Sequence, residues 1–272
     1  RGPPPGRGGL RFAAAGPPVV VTLHNALITG GAVGAVYGAL ERVVARGATA
    51  VLGVSPDLEE RMRELGADDV GRALVPAPPH RGAPAARDGV REELAAGDRM
   101  VVLTVARLAE QKGLPDLLKA AALLRERPML FVVAGDGPLD GLLRETISSD
   151  DLPVRLLGRR SDVPELLAAA DIVAVPSVWE GQPLFVQEAL EAGRPIVATA
   201  VGGIPEMVGD AALLVPAGDG AALAGALGRF VDEPGLTVRM GAAAAQRALS
   251  LPDEDAATDQ LSELYARIRP GK

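Results

Sequence analysis

Behind residue 99 the chain alternates short apolar runs with segments of helical periodicity, and this rhythm restricts the possible fold more than any other feature. Strands are expected at 101–105, 129–134, 154–157, 172–175, 195–198 and 212–215, with helices at 114–125, 139–147, 163–169 and 184–192. The run 172–175 is apolar throughout and rich in β-branched residues, the pattern of a strand buried on both faces. Repeated βα units of this kind predict a parallel sheet with helices packed on either side. Helices at 221–230, 237–249 and 255–268 finish the chain. Aromatic residues make up only 3%, so the core must be assembled from Ala, Val and Leu.

The front of the chain carries a shorter version of the same rhythm. Strands are expected at 19–23, 48–54 and 73–76, and helices at 32–46 and 57–65. The first helix would gather Val33, Val36, Leu40 and Val43 on one face, and Ser55 is placed to cap the second. Residues 1–18, rich in Gly, Pro and Arg, are expected to be loop or disordered, and 77–97 to form a link. The organisation implied is a lead-in (1–18), a partial front domain (19–95) and a complete doubly wound rear domain (96–272).

Other totals exclude function classes. A net charge of −7 implies no general affinity for nucleic acid. The absence of cysteine removes disulfides and thiolate metal sites, and two histidines are too few for an all-protein transition-metal centre. No run approaches the ~18 apolar residues of a membrane-spanning helix, and no signal segment opens the chain. A cytoplasmic protein is expected. Peripheral membrane contact stays compatible with this, although no amphipathic basic helix argues for it.

The rear half concentrates its chemistry in residues 171–206. Strand 172–175 runs through Pro176-Ser177 into a loop holding Glu180, Gly181 and Pro183. Pro183 suits a helix start, Gly193 suits a left-handed cap at the end, and Glu188 lies between them. Gly202-Gly203 follows the next strand. In open parallel sheets ligands bind beyond the carboxyl ends of the strands, where Glu180 falls. Two acids at this separation are, taken alone, ordinary surface charge. The same holds for Arg107 and Lys112, two cations in the loop after strand 101–105.

Together these segments resemble the family 4 retaining glycosyltransferases of GT-B architecture. The resemblance rests on Glu180-x7-Glu188, on Pro-Ser-x-x-Glu-Gly, on Glu-Ala-x-x-Ala-Gly-x-Pro-Ile-Val-Ala-Thr, and on Gly-Gly-Ile-x-Glu. Ala106-Arg107-Leu108 with Lys112-Gly113 matches a further segment, with Ala106 where glycine is usual, and Gly135-Asp-Gly-Pro matches a structural turn. The resemblance implies a GT-B-like α/β fold: a complete C-terminal Rossmann-like domain behind a partial N-terminal one. It implies transfer of a sugar from a nucleoside-diphosphate sugar to a hydroxyl acceptor (glycan, lipid or small molecule), with no metal or other cofactor. Glu180 would face the transferred sugar, Glu188 would accept the ribose hydroxyls, and Arg107 and Lys112 would bind the diphosphate. Gly181, Gly202 and Gly203 would border the donor. Arg159 or Arg160 would approach the base, unless they are exposed arginines beside an Asp162 helix cap. His24 matches a Thr-x-His-Asn segment that reaches towards the reaction centre, or is a structural residue at a strand end. His80 is left without a role, and Trp179 is expected to pack under the loop. Two alternatives stand beside transfer: a nucleotide-sugar binding module without activity, and a sugar-nucleotide epimerase.

Overall fold

A computed structural model describes residues 17–26, 30–78 and 86–268 of the protein. His80 and all but the last two residues of the expected lead-in fall outside them. The chain divides into two compact units, Arg1–Ala73 with Asp259–Lys272, and Leu74–Thr258.

In the first unit, β1 (Val20–Leu23) pairs in parallel with β2 (Ala50–Gly53), and β2 pairs in parallel with β3 (Val70–Arg72). Two helices accompany the sheet, α1 (Gly31–Gly47) and α2 (Pro56–Leu65). Ala45, Val51, Met62 and Leu65 form the small core. Two expectations are corrected here. The third strand lies at Val70–Arg72 rather than 73–76, because the ladder ends where Ala73 N–H donates to the Gly53 carbonyl and Pro76 has no N–H to continue it. Ser55 stands at the N-cap of α2, but its hydroxyl makes no cap bond and is buried without a hydrogen-bond partner among the described residues. The apolar face of α1 points outward, with Val33, Val36, Leu40 and Val43 at 56, 61, 55 and 69% exposure. Only Ala45 of that helix is buried.

The second unit runs α3 (Arg87–Glu93), β4 (Met100–Val105), α4 (Leu114–Leu123), β5 (Met129–Ala134), α5 (Asp140–Ser149), β6 (Val154–Gly158), α6 (Val163–Ala169), β7 (Ile172–Val175) and α7 (Leu184–Glu191). It continues with β8 (Ile196–Thr199), α8 (Ile204–Val208), β9 (Ala212–Val215), α9 (Gly220–Asp232) and α10 (Leu236–Ala248). A last helix, α11 (Glu254–Ile268), ends the described chain. The strands pair in the order β6-β5-β4-β7-β8-β9, all parallel. Numbered within the unit this is 3-2-1-4-5-6, the doubly wound order whose direction of winding reverses between β4 and β7.

Side chains alternate strictly across the sheet. Val101, Leu103, Leu130, Val132 and Val173 face α3, α6, α7 and α8 on one side. Val102, Phe131, Val133, Ile172 and Ala174 face α4, α5 and α9 on the other. Each fully buried Val or Leu contributes about 1.5–3 kcal/mol, so two such layers hold a sheet that has almost no aromatic residues.

Beneath the reversal point, Asp171 ties the strands together at their amino ends. It accepts from the Val101 N–H (2.8 Å), from Arg87 (2.8 Å) and from Arg91 (2.9 Å). Burial pushes its carboxyl up, yet that N–H and the two guanidinium groups outweigh burial and hold it below the usual carboxylate range. The register of β4 against β7 is thereby fixed at the end opposite their ligand-facing tips.

Candidate active site at the strand reversal

A pocket opens at the carboxyl ends of β4 and β7, where neighbouring loops diverge to opposite faces of the sheet. Thr104, Val105 and Ala106 line it from β4, and Ala174, Pro176 and Ser177 from β7. Lys112, Glu180 and the first turn of α7 complete the wall. Its volume is about 170 Å³.

Two loops meet across this pocket. Behind β4, a short 3-10 turn (Glu110–Lys112) leads into α4, and Gly113 between them has φ +59°. Behind β7, the loop from Pro176 to Pro183 leads into α7. Val178 N–H donates to the Gln111 carbonyl (2.8 Å), and the Gln111 side chain donates to the Trp179 carbonyl (3.0 Å). The Thr199 hydroxyl holds the Ser177 carbonyl from β8. Trp179 is buried, as packing under the loop requires.

These bonds bring Lys112 and Glu180 together. Lys112 Nζ donates to Glu180 Oε1 at 2.6 Å, and Ser177 Oγ donates to the same oxygen at 2.7 Å. Glu180 is only 7% exposed, so its charge depends on these two donors. The Lys112 side chain keeps 23% exposure and can meet a ligand from the pocket side.

The remaining expected residues are placed as follows. Arg107 is exposed next to Ala106, and its guanidinium makes no hydrogen bond or ion pair among the described residues. Glu188 does not line the pocket, but it stands one helical turn beyond Leu184, which does. Its half-buried carboxyl likewise has no partner among the described residues. Gly181 is buried in the loop after Glu180. Gly202 packs against Glu180: a Cβ there would lie 1.8 Å from the Glu180 carbonyl oxygen. His24 is exposed just after β1, in the first unit.

Two donors expected near the ligand are used internally. Gly203 N–H donates to the Glu180 carbonyl (3.0 Å), which braces the loop rather than presenting the N–H to a ligand. Arg160 is held by Asp162 (2.7 Å) and by Glu93 (2.6 Å) and does not line the pocket. Those carboxylates raise the Arg160 pKa further, the Asp162 bond most. Asp162 stands at the N-cap of α6, but its side chain serves Arg160 and not the helix. Sequence reasoning assigned no role to Ser177 or Gln111. Ser177 sits in the Pro-Ser pair and could have been found there, whereas Gln111 carries no signal beyond its place beside Lys112.

Glu188 yields a pH prediction. Burial first, and the neighbouring Glu191 carboxylate second, raise its pKa above the ordinary value. A raised folded-state value means a contribution to stability that is complete below the unfolded pKa of about 4.3 and lost as pH rises through the folded value. Glu188→Gln, which cannot ionise, is therefore expected to melt above wild type at pH 7 and level with it near pH 4. Ligand-free thermal melts at both pH values check this. A wild-type midpoint at or above the variant's at pH 7 contradicts it.

Comparison with known proteins agrees with the geometry. The family profile described as "Glycosyl transferases group 1" matches residues 99–233, and that described as "Glycosyl transferase 4-like domain" matches residues 1–78. Alpha-D-kanosaminyltransferase of Streptomyces kanamyceticus is 33% identical over 242 residues, covering 84% of this chain and 63% of that protein. The chain thus spans under two thirds of that relative's length. HepE of Anabaena, crystallised with UDP and glucose, superposes with a TM-score of 0.81 at 23% identity, over 92% of this chain and 72% of that one. Sucrose-phosphate synthase of Thermosynechococcus elongatus gives a TM-score of 0.79 at 23% identity, over 92% and 67% respectively. With the strand order and the pocket at the reversal in place, the chain belongs to the family 4 glycosyltransferases of GT-B fold.

Proposed function

We propose that this protein transfers a sugar, with retention of anomeric configuration, from a nucleoside-diphosphate sugar to a hydroxyl acceptor in the cytoplasm. The observation that carries the proposal is the Lys112–Glu180–Ser177 cluster in the wall of the pocket between β4 and β7. A cation and an acid share one hydrogen bond at the point where a doubly wound sheet binds ligands.

In this reading the diphosphate lies against Lys112, with the Arg107 guanidinium beside it. Lys112 exchanges part of its bond to Glu180 for a bond to phosphate, and Glu180 turns its free oxygen to the sugar hydroxyls. Glu188, one turn along α7, accepts the ribose hydroxyls. The bond from the anomeric carbon to the diphosphate oxygen breaks while a bond to the acceptor oxygen forms on the same face. The acceptor proton passes to the departing phosphate oxygen. Lys112 and Arg107 meet the negative charge that develops on the leaving group, the largest electrostatic term in such a step.

A thermal-shift panel of UDP, GDP and ADP sugars tests the binding half. The matching donor at 100 times its Kd is expected to stabilise the protein by about 2.7 kcal/mol. No shift with any nucleotide sugar rejects the proposal.

A further inference from the structure

The segment 74–78, which follows the last residue of the first unit, belongs to neither sheet. Pro76 and Pro78 contribute no N–H, and of the three remaining donors those of Val75 and Ala77 lie two residues apart, on the same side of an extended chain. Both find glutamine side chains. Val75 N–H donates to Gln182 Oε1 (3.0 Å), and Ala77 N–H donates to Gln187 Oε1 (2.9 Å). Gln187 Nε2 in turn donates to the Val75 carbonyl (2.8 Å). Gln187 thus pairs with the segment as a backbone peptide of an adjoining strand would. It is only 4% exposed, so both ends of its amide need these partners.

The positions of the two glutamines matter more than the bonds alone. Gln182 lies two residues after Glu180, and Gln187 immediately precedes Glu188. Each acid of the donor site therefore has a neighbour in sequence that is fastened to the same short segment. The same helix is also held by packing of Val186, Ala189 and Leu190 in the core. The Glu188 carboxyl itself has no partner among the described residues, so its position is inherited from the helix that carries it.

We propose that Gln182 and Gln187 are positioning residues for the nucleotide-sugar site, acting through segment 74–78 as a clasp on the loop and helix that bear Glu180 and Glu188. This rests on the donor-site reading above. Releasing the clasp frees the first turns of α7 to shift, and displacements near 1 Å are enough to cost about 100-fold in a positioned site. The coupling is reciprocal: a nucleotide that fixes Glu188 also tightens the clasp.

Amide hydrogen exchange on the full chain, with and without UDP, GDP or ADP at saturation, tests this together with calorimetric Kd values. In wild type the bound nucleotide is expected to slow exchange at Val75 and Ala77 at least about fivefold. Gln187→Leu, which matches the side chain in size but cannot pair, is expected to weaken that nucleotide about tenfold and to abolish the slowing at Ala77. Gln182→Ala removes one acceptor at a less buried position and keeps the test open should Gln187→Leu not fold; about threefold weaker binding is expected. Nucleotide binding to wild type with no change in exchange at Val75 and Ala77, and with wild-type affinity in the variants that fold, overturns the clasp alone. No nucleotide binding to wild type overturns the donor site and the clasp together. A role confined to stability would lower melting temperature without any nucleotide-dependent change at these two amides.

Discussion

Replacing Lys112 with alanine is expected to lower kcat/KM for glycosyl transfer about 100-fold, the size of effect seen when one preorganised donor to a developing anion is removed. The same substitution strips Glu180 of its ion-pair partner. Glu180 is 7% exposed and would keep only the Ser177 hydroxyl on that oxygen. Breaking a buried pair in this way costs about 3–5 kcal/mol, so a loss of activity could in principle reflect a damaged fold. A double substitution separates the two. Lys112→Ala with Glu180→Gln removes the stranded charge and leaves an amide that Ser177 can still bond. Its melting temperature is expected to return towards wild type, while transfer stays at least as low as in Lys112→Ala. Steady-state kinetics and thermal melts on Lys112→Ala, Glu180→Gln and the double variant decide the matter, with transfer by the double read against Glu180→Gln alone. Transfer by the double variant equal to that of Glu180→Gln alone would show Lys112 to be structural only, and wild-type transfer in Lys112→Ala would sink the site.

Gly202→Ala is the second substitution expected to act strongly, for a steric reason. Gly202 has φ +51°, and an added Cβ would lie 1.8 Å from the carbonyl oxygen of Glu180 and 3.2 Å from Trp179 Nε1. Backbone oxygen cannot yield as a flexible side chain can, so the loop holding Glu180 must move. The Gly203 N–H bond to the same carbonyl, now 3.0 Å, would be strained with it. A loss of about 3 kcal/mol or more is expected, or a melting temperature lower by about 6–12 °C for a chain of this size. Gly97 provides the control. It has φ +56° but open space around it, so Gly97→Ala meets only the left-handed backbone penalty of about 1–2 kcal/mol. The paired melts measure the difference. Equal losses in the two variants would mean that the contact with Glu180 carries no weight. The folded fraction of Gly202→Ala is also expected to transfer poorly, because the carbonyl that moves belongs to Glu180 itself.

Much of the rear sheet could be read from local pattern. The strands at Met129–Ala134, Ile172–Val175 and Ala212–Val215 begin and end where the apolar runs do, and Gly193 adopts the left-handed conformation that its place after a helix demands. These features depend on residues close together in the chain. The third strand of the front unit was displaced by three residues, because its limits depend on pairing with Val51 and Leu52 rather than on its own composition. The partners of Arg160 were hidden for a related reason: Glu93, which binds it, lies 67 positions away. On α1 the helical period was read correctly, but periodicity marks an apolar face without stating what covers it.

The chemistry divides along the same line. Residue order alone puts Glu180 in a loop beyond a strand and Glu188 one helix later, since turn-forming and helix-forming preferences act over a few neighbours. It could not join Lys112 to Glu180, which are 68 positions apart, nor set Gln187 against Val75 at a separation of 112. The first of these contacts exists because β7 pairs with β4 instead of with β6, its predecessor in the chain. The choice of neighbour in a parallel sheet is made by burial of both faces at once, a condition that no short stretch of residues contains.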